Sequence, residues 1–593
     1  MSNNSFCERP RNNEKTDSID YVKSLIKNAR VESRENDIPK LEKLIQLLNS
    51  KKYGLVWEEH AEKVEEEMKT KIPVFVEDKV RKINDDHGSE SFNFLLEGDN
   101  LHSLYLLEKT HLGKIDVIYI DPPYNTGTKE GAFRYNDKLV LNDDTYIHSK
   151  WLSFMHSRLK IAERLLSNNG VLFLHIDENE FAQIKLLLDE IFGEGAFVEN
   201  LIWNKRVPKN DKGIGAIHEY VLIYTKNSKN EFMVEKVGLE NIFSLVDEAK
   251  KTGKTPLEAQ NLLKKFYREN EFPRAITLYN NVDNNFRIYG KINMSWPNAN
   301  TFGPRYNVLH PKTARPVKIP ARGWRWRNET LEDALKGEFQ ELEDGSYLQG
   351  RIWYAKDENT QISSVNYLEE TDRMLLRSIV SLKSDGSLEL EKLGFKKNDF
   401  AYAKPVTLAK ELLESITFNN LDATILDFFA GSGTTGQAVT ELNAEDGGTR
   451  KFILATNNEN NIAEEVTYER MKRVSTGTEK YEAHPLNLKY FKTDFVIKEE
   501  FPDVSLEYEL LKYITPLVEL EFGIDITNPK VQIVLNEEQL ESLIDNKQLI
   551  SNSTIFMHPD VFRDDKQNQI LQDLQIKVQE IPNYFFGTEL WAK

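Results

Sequence analysis

Residues 114–124, KIDVIYIDPPY, place a short run rich in β-branched and aromatic residues directly before Asp121 and two prolines. A run without polar alternation is what a strand covered on both faces of a parallel sheet requires. The neighbouring stretches repeat the pattern, since FNFLLEGDN (92–100) and GVLFLHID (170–177) are apolar runs that end in polar and turn residues. Between them SLYLLEKTHL (103–112) and WLSFMHSRLKIAERLLSNNG (151–170) carry apolar residues at helical spacing, the second closed by Gly170. The alternation predicts βαβ units and an α/β fold, a doubly wound Rossmann-like core with a mostly parallel sheet.

That rhythm stops near residue 200. NNVDNNFRIYG (280–290), SWPNANTFGPRYN (295–307) and RPVKIPARGWRWR (315–327) are dominated by Asn, Pro, Gly, Arg and Trp. It resumes in TLAKELLESI (407–416), ATILDFFAGSGTTGQAV (423–439) and KFILATNNEN (451–460). The expectation is a split core, 91–200 and 396–495, interrupted by an irregular domain at 201–395. An N-terminal helical region, 1–90, and a C-terminal domain, 496–593, flank it. LEKLIQLLNSKKYGLVWEEHAEKVEEEM (41–68) has the composition and spacing of helices.

The chain has 593 residues, too many for one hydrophobic core, with 40% hydrophobic and 29% charged residues. No apolar run approaches the roughly 20 residues that a spanning helix needs. The start MSNNSFCERPRNNEK lacks the apolar core of a signal peptide, so a cytoplasmic protein without membrane contact is expected. Cys7 is the single cysteine, which excludes internal disulfides and cysteine-held zinc, and no metal site is expected. Cys7 itself reads as inert. The net charge of −18 argues against a chain that simply coats nucleic acid. Yet residues 201–330 hold 23 Lys and Arg against 12 Asp and Glu, whereas 501–593 hold 7 against 16. A basic internal segment in an otherwise acidic protein points to a nucleic-acid-facing region.

In ATILDFFAGSGTTGQAV the apolar run ends at Asp427, and Gly431, Gly433 and Gly436 complete a GxGxxG pattern before a helical continuation. A nucleoside-triphosphate loop needs Lys and then Ser or Thr after the last glycine, where this chain has Gln437 and Ala438. A pyrophosphate would be repelled by Asp427. A cationic sulfonium cofactor reverses that sign, because a carboxylate can attract its ammonium group while glycines admit the backbone. S-adenosylmethionine is the cofactor that fits. At the end of the next run Glu459 reads equally as a ribose acceptor or as a solvated loop residue, and Asn457 or Asn458 could accept from the ribose instead.

Asp121, Pro122, Pro123 and Tyr124 stand where ligands bind in open α/β sheets, at the carboxyl ends of the strands. The exocyclic amine of a nucleobase is a poor nucleophile, its lone pair being delocalised into the ring. Acceptors for its protons, the Asp121 carboxylate and the Pro122 carbonyl, would release that lone pair toward an electrophilic methyl group. Tyr124 offers a flat face for a base flipped out of the duplex. Methylation at cytosine carbon 5 needs a cysteine nucleophile, and Cys7 has no catalytic setting. Amine methylation remains, of adenine or cytosine.

DPPYNTG (121–127) and DFFAGSGTTG (427–436) resemble the catalytic and cofactor motifs of DNA amino-methyltransferases, in the order of the β class. FLLEGDNLHSLYLLEKTHLGKIDVIYIDPPYNTG, WLSFMHSRLKIAERLL and TNNENNIAEEVTYERMKRV are similar to modification subunits of type III restriction-modification systems. That resemblance implies transfer to N6 of adenine, with N4 of cytosine or an inactive DNA-binding specificity subunit as alternatives. It implies cofactor contacts at Asp99 and Phe429, and at Lys404 and Pro405 of FAYAKP (400–405), which departs from the family's usual form. It also implies double-stranded DNA as partner, a homodimer, and a separate restriction subunit. The middle segment becomes a target-recognition domain, in which Trp324, Arg325 and Arg327 are candidates for DNA contact and the 496–593 segment for assembly.

Overall fold

The computed structural model describes residues 14–585, apart from 126–146, 206–216 and the short stretches 32–33, 35–36, 50–56, 58–59, 228, 237, 271, 397–398, 401, 502–503 and 583–584. Cys7 lies outside the described residues, as do Thr126 and Gly127 of the DPPYNTG motif.

An 11-stranded sheet forms the centre. Its strands in chain order are β1 (Lys71–Glu77), β2 (Asn93–Glu97), β3 (Ile115–Ile120), β4 (Leu166–Ile176), β5 (Phe197–Asn204), β6 (His218–Thr225), β7 (Ile379–Ser381), β8 (Thr424–Asp427), β9 (Lys451–Thr456) and β10 (Asn487–Ile497), with Ile83–Asn84 pairing beside β10. Across the sheet they run β1, β10, β2, β9, β8, β3, β4, β6, β5, β7. The block from β10 to β4 is parallel throughout. The chain therefore visits β2, β3 and β4, leaves, and returns to slot β8 and β9 between β3 and β2.

The apolar runs are continuous because the sheet is buried on both faces and successive side chains point opposite ways. Ile118, Ile120, Leu172, Leu174 and Leu426 face one core, and Val117, Tyr119, Val171, Phe173 and Ile425 face the other. Helices α1 (Asn100–Thr110), α2 (Ile147–Leu165) and α3 (Phe181–Phe192) cover the first face, with Leu104, Trp151 and Leu187 in that core. Helices α4 (Val406–Thr417) and α5 (Thr434–Asp446) cover the second through Leu412 and Val439. The fold is the doubly wound α/β core expected from the sequence.

Three boundaries move. The sheet claims β5, β6 and β7, so the core extends through residue 225 and takes back 379–381 from the segment read as the irregular domain. It also claims β1 from the region read as helical. Inside the insertion lies regular structure: a six-stranded antiparallel sheet built from Asn281–Val282, Ile288–Asn293, Phe339–Glu341, Tyr347–Gln349, Ile352–Tyr354 and Ser363–Tyr367, with helices Leu239–Lys251 and Pro256–Glu269. Its strands are too short to leave a periodic signature in sequence.

The C-terminal segment is a small α/β unit on a parallel sheet of Val531–Val534, Thr554–Met557 and Lys577–Glu580. The apolar residues of LEYELLKYITPLVEL (506–520), within the 496–593 segment that the resemblance gives to assembly, are candidates to cover a surface between chains. Instead Leu510, Ile514, Leu517, Val518 and Leu520 are buried in this chain's own first core. The apolar stripe of helix Ile514–Phe522 finds its cover within the chain, and a cluster of buried charges, Lys489 with Glu77, Glu519 and Asp525, ties the segment down. The apolar stretch NYFFGTELW (583–591) of the same segment lies outside the described residues except for Phe585.

Candidate active site

Parallel strands share an exit edge, and here that edge collects the site. β3 delivers Asp121, β8 ends at Asp427, β9 leads to Asn457 and β2 to Asp99, held in register by the pairs Ile118 with Leu426, Leu426 with Ile453 and Leu454 with Leu95. β6 is antiparallel to β4, so it enters where the parallel strands leave, and its second residue, Glu219, arrives beside Asp121. β5 in turn is antiparallel to β6 and brings Lys205 to the same edge. Lys404 comes from the opposite side of the insertion, just before α4.

Asp121 keeps a side chain that is 29% exposed, and both oxygens are engaged. The Tyr124 hydroxyl donates to Oδ1 at 2.6 Å, and Lys404 Nζ donates to Oδ2 at 2.9 Å. Lys404 also contacts Glu219 Oε2 at 3.2 Å, lies 4.9 Å from the centre of the Tyr124 ring, and Lys205 pairs with Glu219 Oε1. Burial alone would raise the Glu219 carboxyl, but the Lys404 and Lys205 charges more than reverse this and hold it at about 2. Burial works against the Lys404 ammonium, yet the Asp121 and Glu219 carboxylates raise it above the usual lysine range. Burial, followed by those same two carboxylates, pushes the Tyr124 hydroxyl well above the usual phenol range, so Tyr124 is a donor at neutral pH. Beneath them His175, fully buried against the Tyr119 ring at 5.0 Å, is lowered to about 4 by burial and stays neutral.

The turn itself is fastened from behind. Trp151 Nε1 donates to the Pro123 carbonyl at 2.7 Å, Pro122 and Pro123 are buried, and Asn125, at φ 59°, donates from Nδ2 to Glu180 at 2.7 Å. The left-handed conformation suits Asn, whose short polar side chain can be held locally.

The glycine loop behaves differently. Asp427 is buried, its Oδ2 accepts from the Thr435 hydroxyl and its Oδ1 from the Phe429 amide at 3.0 Å. Burial, partly offset by those two bonds, raises it to about 7. The sequence reading gave this carboxylate to a cofactor's ammonium group; the structure turns both oxygens onto the loop's own groups, because the loop needs acceptors for amides that no strand pairs. Gly431 and Gly433 adopt φ of +50° and +80°, the second opening α5. A Cβ at Gly436 would stand 2.6 Å from Met471 Sδ, so glycine is required there by packing, whereas a Cβ at Gly431 would meet the Phe400 ring only at 3.6 Å and leaves an open approach to the backbone.

Around the loop, Asp99 caps α1 by accepting from the Leu101 amide at 2.8 Å and pairs with the buried Arg158 at 3.1 Å. Its neighbour Asn100 donates to the Phe428 carbonyl at 2.8 Å, binding α1 to the loop. Phe429 is buried, its ring 5.9 Å from Phe154. The Lys404 carbonyl accepts from Thr434 Oγ1 at 3.2 Å and Pro405 caps α4. FAYAKP therefore touches the glycine loop through its backbone, while its lysine belongs to the Asp121 cluster. Glu459 is exposed on a short turn after β9, where Asn458 rather than Glu459 ties back to β2 through Glu97 at 3.1 Å.

Glu219 and Lys205 are the residues that sequence reasoning missed. Their signal was present as charged residues at the mouths of two strands, but the segment containing them was read as irregular. Trp324 needs the opposite correction. It is fully buried, donates from Nε1 to the Tyr306 carbonyl at 2.9 Å and belongs to the core of the insertion, so it offers no ring to a base. Arg325 and Arg327 are exposed and remain available to an anionic partner. Among the described residues no group of three His, Cys, Asp or Glu could hold a metal ion, and no helix is long and apolar enough to cross a membrane.

With this geometry in place, a family model described as DNA methylase, of the N6/N4 type, matches residues 115–484. The chain belongs to this family. The chain is 32% identical over 411 residues to the EcoP15I Mod subunit of Escherichia coli, a type III restriction-modification enzyme, a match that covers 64% of this chain and 60% of that one. It is also 32% identical over 383 residues to the type II methyltransferase M.KpnI of Klebsiella pneumoniae, covering 61% of this chain and 79% of that one. The chain thus spans about 60% of the type III relative's length. The solved PvuII DNA methyltransferase (cytosine-N4-specific) aligns at 11% identity over 65% of this chain and 92% of that one, with a TM-score of 0.29. The fold assignment of the chain accordingly rests on its own strand order.

Proposed function

We propose that the methylase transfers the methyl group of S-adenosylmethionine to N6 of adenine in duplex DNA, as the modification and recognition subunit of a type III restriction-modification system. The observation that carries this is the Asp121 carboxylate at the sheet edge, clamped by Lys404 and Tyr124 within one strand of the glycine loop.

The residues fit that cofactor. The open approach above Gly431, bounded by the Phe400 ring, admits a flat or extended ligand against the backbone. Asp99, with a side chain 34% exposed, and Asp121 supply negative charge on either side for a cationic ligand, and the Asp427 role is structural. When bound, the cofactor supplies an electrophilic methyl on a sulfonium. The chain's own part is to accept a proton-bearing edge of the adenine amine at Asp121 and the Pro122 carbonyl, to stack the flipped base on Tyr124, and to take up the one proton the amine loses. None of these steps calls on a metal ligand.

Duplex DNA as partner is supported by the surplus of basic residues in 201–330 and by exposed Arg325 and Arg327. A restriction subunit and a homodimer are inferred from the likeness to the type III relative. The likeness to M.KpnI favours a second reading, a methyltransferase that acts in a type II system. One experiment separates the readings: purified chain, S-adenosylmethionine and duplex DNA, with the product nucleosides identified by mass spectrometry. N6-methyladenine is expected; N4-methylcytosine as sole product refutes the base assignment. Co-purification of a motor-nuclease subunit encoded beside the gene, with light scattering for the dimer, decides the assembly.

A further inference from the structure

The Tyr124 hydroxyl occupies the catalytic carboxylate. It donates to Asp121 Oδ1 at 2.6 Å, with Lys404 on Oδ2, so the group meant to accept the target amine already has both oxygens engaged. A base stacked on Tyr124 lies about 3.5 Å from the plane of the ring, the ordinary separation of touching carbon surfaces. An acceptor for its exocyclic amine lies near the plane of the base, because the amine protons do. The hydroxyl lies in the plane of its own ring, so it stands about 3.5 Å or more from that acceptor. A bond of 2.6 Å cannot persist through stacking.

The released hydroxyl needs another acceptor, since a donor that a stacked base shields from water is costly to leave unpaired. Glu219 Oε2 already stands 3.4 Å from it. Glu219 is buried and ionised between Lys404 and Lys205, and Lys404 spans both carboxylates, so the receiving oxygen is fixed relative to the one being vacated. We propose that Glu219 is a positioning residue that receives the Tyr124 hydroxyl when the target base stacks, freeing Asp121 Oδ1 for the amine. The step is a change of hydrogen-bond partner: no covalent bond forms or breaks, and Tyr124 keeps its proton. The inference rests on the amine-methyltransferase reading and adds to it a residue from the antiparallel strand β6.

The test uses the full chain, with duplex DNA carrying whatever sequence the wild-type chain methylates and single-turnover formation of the methylated base as readout. Glu219→Gln keeps the shape and removes the charge. Its single-turnover rate is expected to fall at least about tenfold while the Kd values for S-adenosylmethionine and DNA change less than about threefold. A Tyr124→Phe background discriminates, because there is no hydroxyl to receive. There, adding Glu219→Gln is expected to cost less than about threefold. An equal loss from Glu219→Gln in both backgrounds would overturn the hand-over and leave Glu219 as a partner of the lysines alone. Loss of binding with an unchanged rate would overturn it as well. If Glu219→Gln fails to fold, as judged by thermal unfolding, Glu219→Asp replaces it: the charge stays but the reach shortens, and the same dependence on the Tyr124 hydroxyl is required. Absence of any methylated amine with the wild-type chain is a different result, which refutes the amine-methyltransferase reading itself.

Discussion

Asp121 and Asp427 end neighbouring parallel strands, one residue past β3 and the last residue of β8, yet they are put to opposite uses. Asp121 is partly exposed and surrounded by charge, with Lys404 and Glu219 within 3.2 Å of one another across it. Asp427 is buried, meets no cation among the described residues, and spends its oxygens on Thr435 and the Phe429 amide. The difference follows from what comes after each strand. Two prolines directly after Asp121 offer it no backbone donor and its carboxylate meets side chains instead, whereas the glycine loop turns the Phe429 amide and the Thr435 hydroxyl onto the carboxylate at its root. An acidic residue at a strand end is therefore a candidate for chemistry when it stays partly exposed and is held by side chains rather than by a backbone amide.

The strongest way to break the comparison is Asp121→Ala. Removal of an acceptor required in the transition state is expected to lower the single-turnover rate by about 10³-fold or more, with S-adenosylmethionine and DNA affinity retained, as measured by rapid quench and calorimetry. Near-normal turnover would make Asp121 as structural as Asp427. Lys404→Met should come next, with a rate loss of about 10- to 100-fold, because Asp121 and Glu219 are then left facing each other without the shared ammonium. If cofactor affinity rather than rate falls, Lys404 belongs to the glycine loop as FAYAKP alone suggested.

On the other side, Gly436→Val should damage the cofactor half without touching the chemistry. The added atoms meet Met471 Sδ and Leu454, and overpacking of this kind destabilises by about 1–3 kcal/mol. A drop in unfolding temperature with weaker cofactor binding is expected; a stable variant with normal binding would show that the α5 packing is looser than drawn. Asp427→Asn is the mildest. Its carboxyl is raised by burial to about 7 from an unfolded value near 3.8, so the folded state holds the proton more tightly. That contribution to stability is complete below about pH 4 and is lost as pH rises through about 7. Asn cannot titrate, so the decline in unfolding free energy between those limits should flatten, as read from denaturant curves at several pH values, with a rate change of only a few-fold. An unchanged pH dependence would place the titration elsewhere.

How much of the site was legible varies residue by residue. DPPY and the glycine pattern sit at the ends of apolar runs, so Asp121, Tyr124, Gly431 and Gly433 could be placed at the sheet edge from the chain alone. Lys404 was found through its motif, but its pairing with Asp121 was not, because its backbone and its side chain serve different loops. Glu219 had no motif. It was lost when 201–395 was read as one irregular block, and its relation to Asp121, 98 positions earlier by their numbers, exists only through strand pairing. Trp324 was misjudged because aromatic residues among arginines look alike in sequence whether they face a ligand or a core.

The sequence by itself determined the parallel core, its division into two halves around an insertion, and the loops at its carboxyl edge. Apolar runs, glycines and prolines act on the few residues beside them, so a linear reading recovers their effect. Only the tertiary structure decided which charges meet. The reversal of β6 carries Glu219 to the mouth of the site, the return of the chain before α4 carries Lys404 there, and the fold of the C-terminal segment onto the first core buries Leu510, Ile514, Leu517, Val518 and Leu520. Those outcomes depend on which distant segments cover one another, and coverage is set by the packing of the whole chain rather than by any stretch of it.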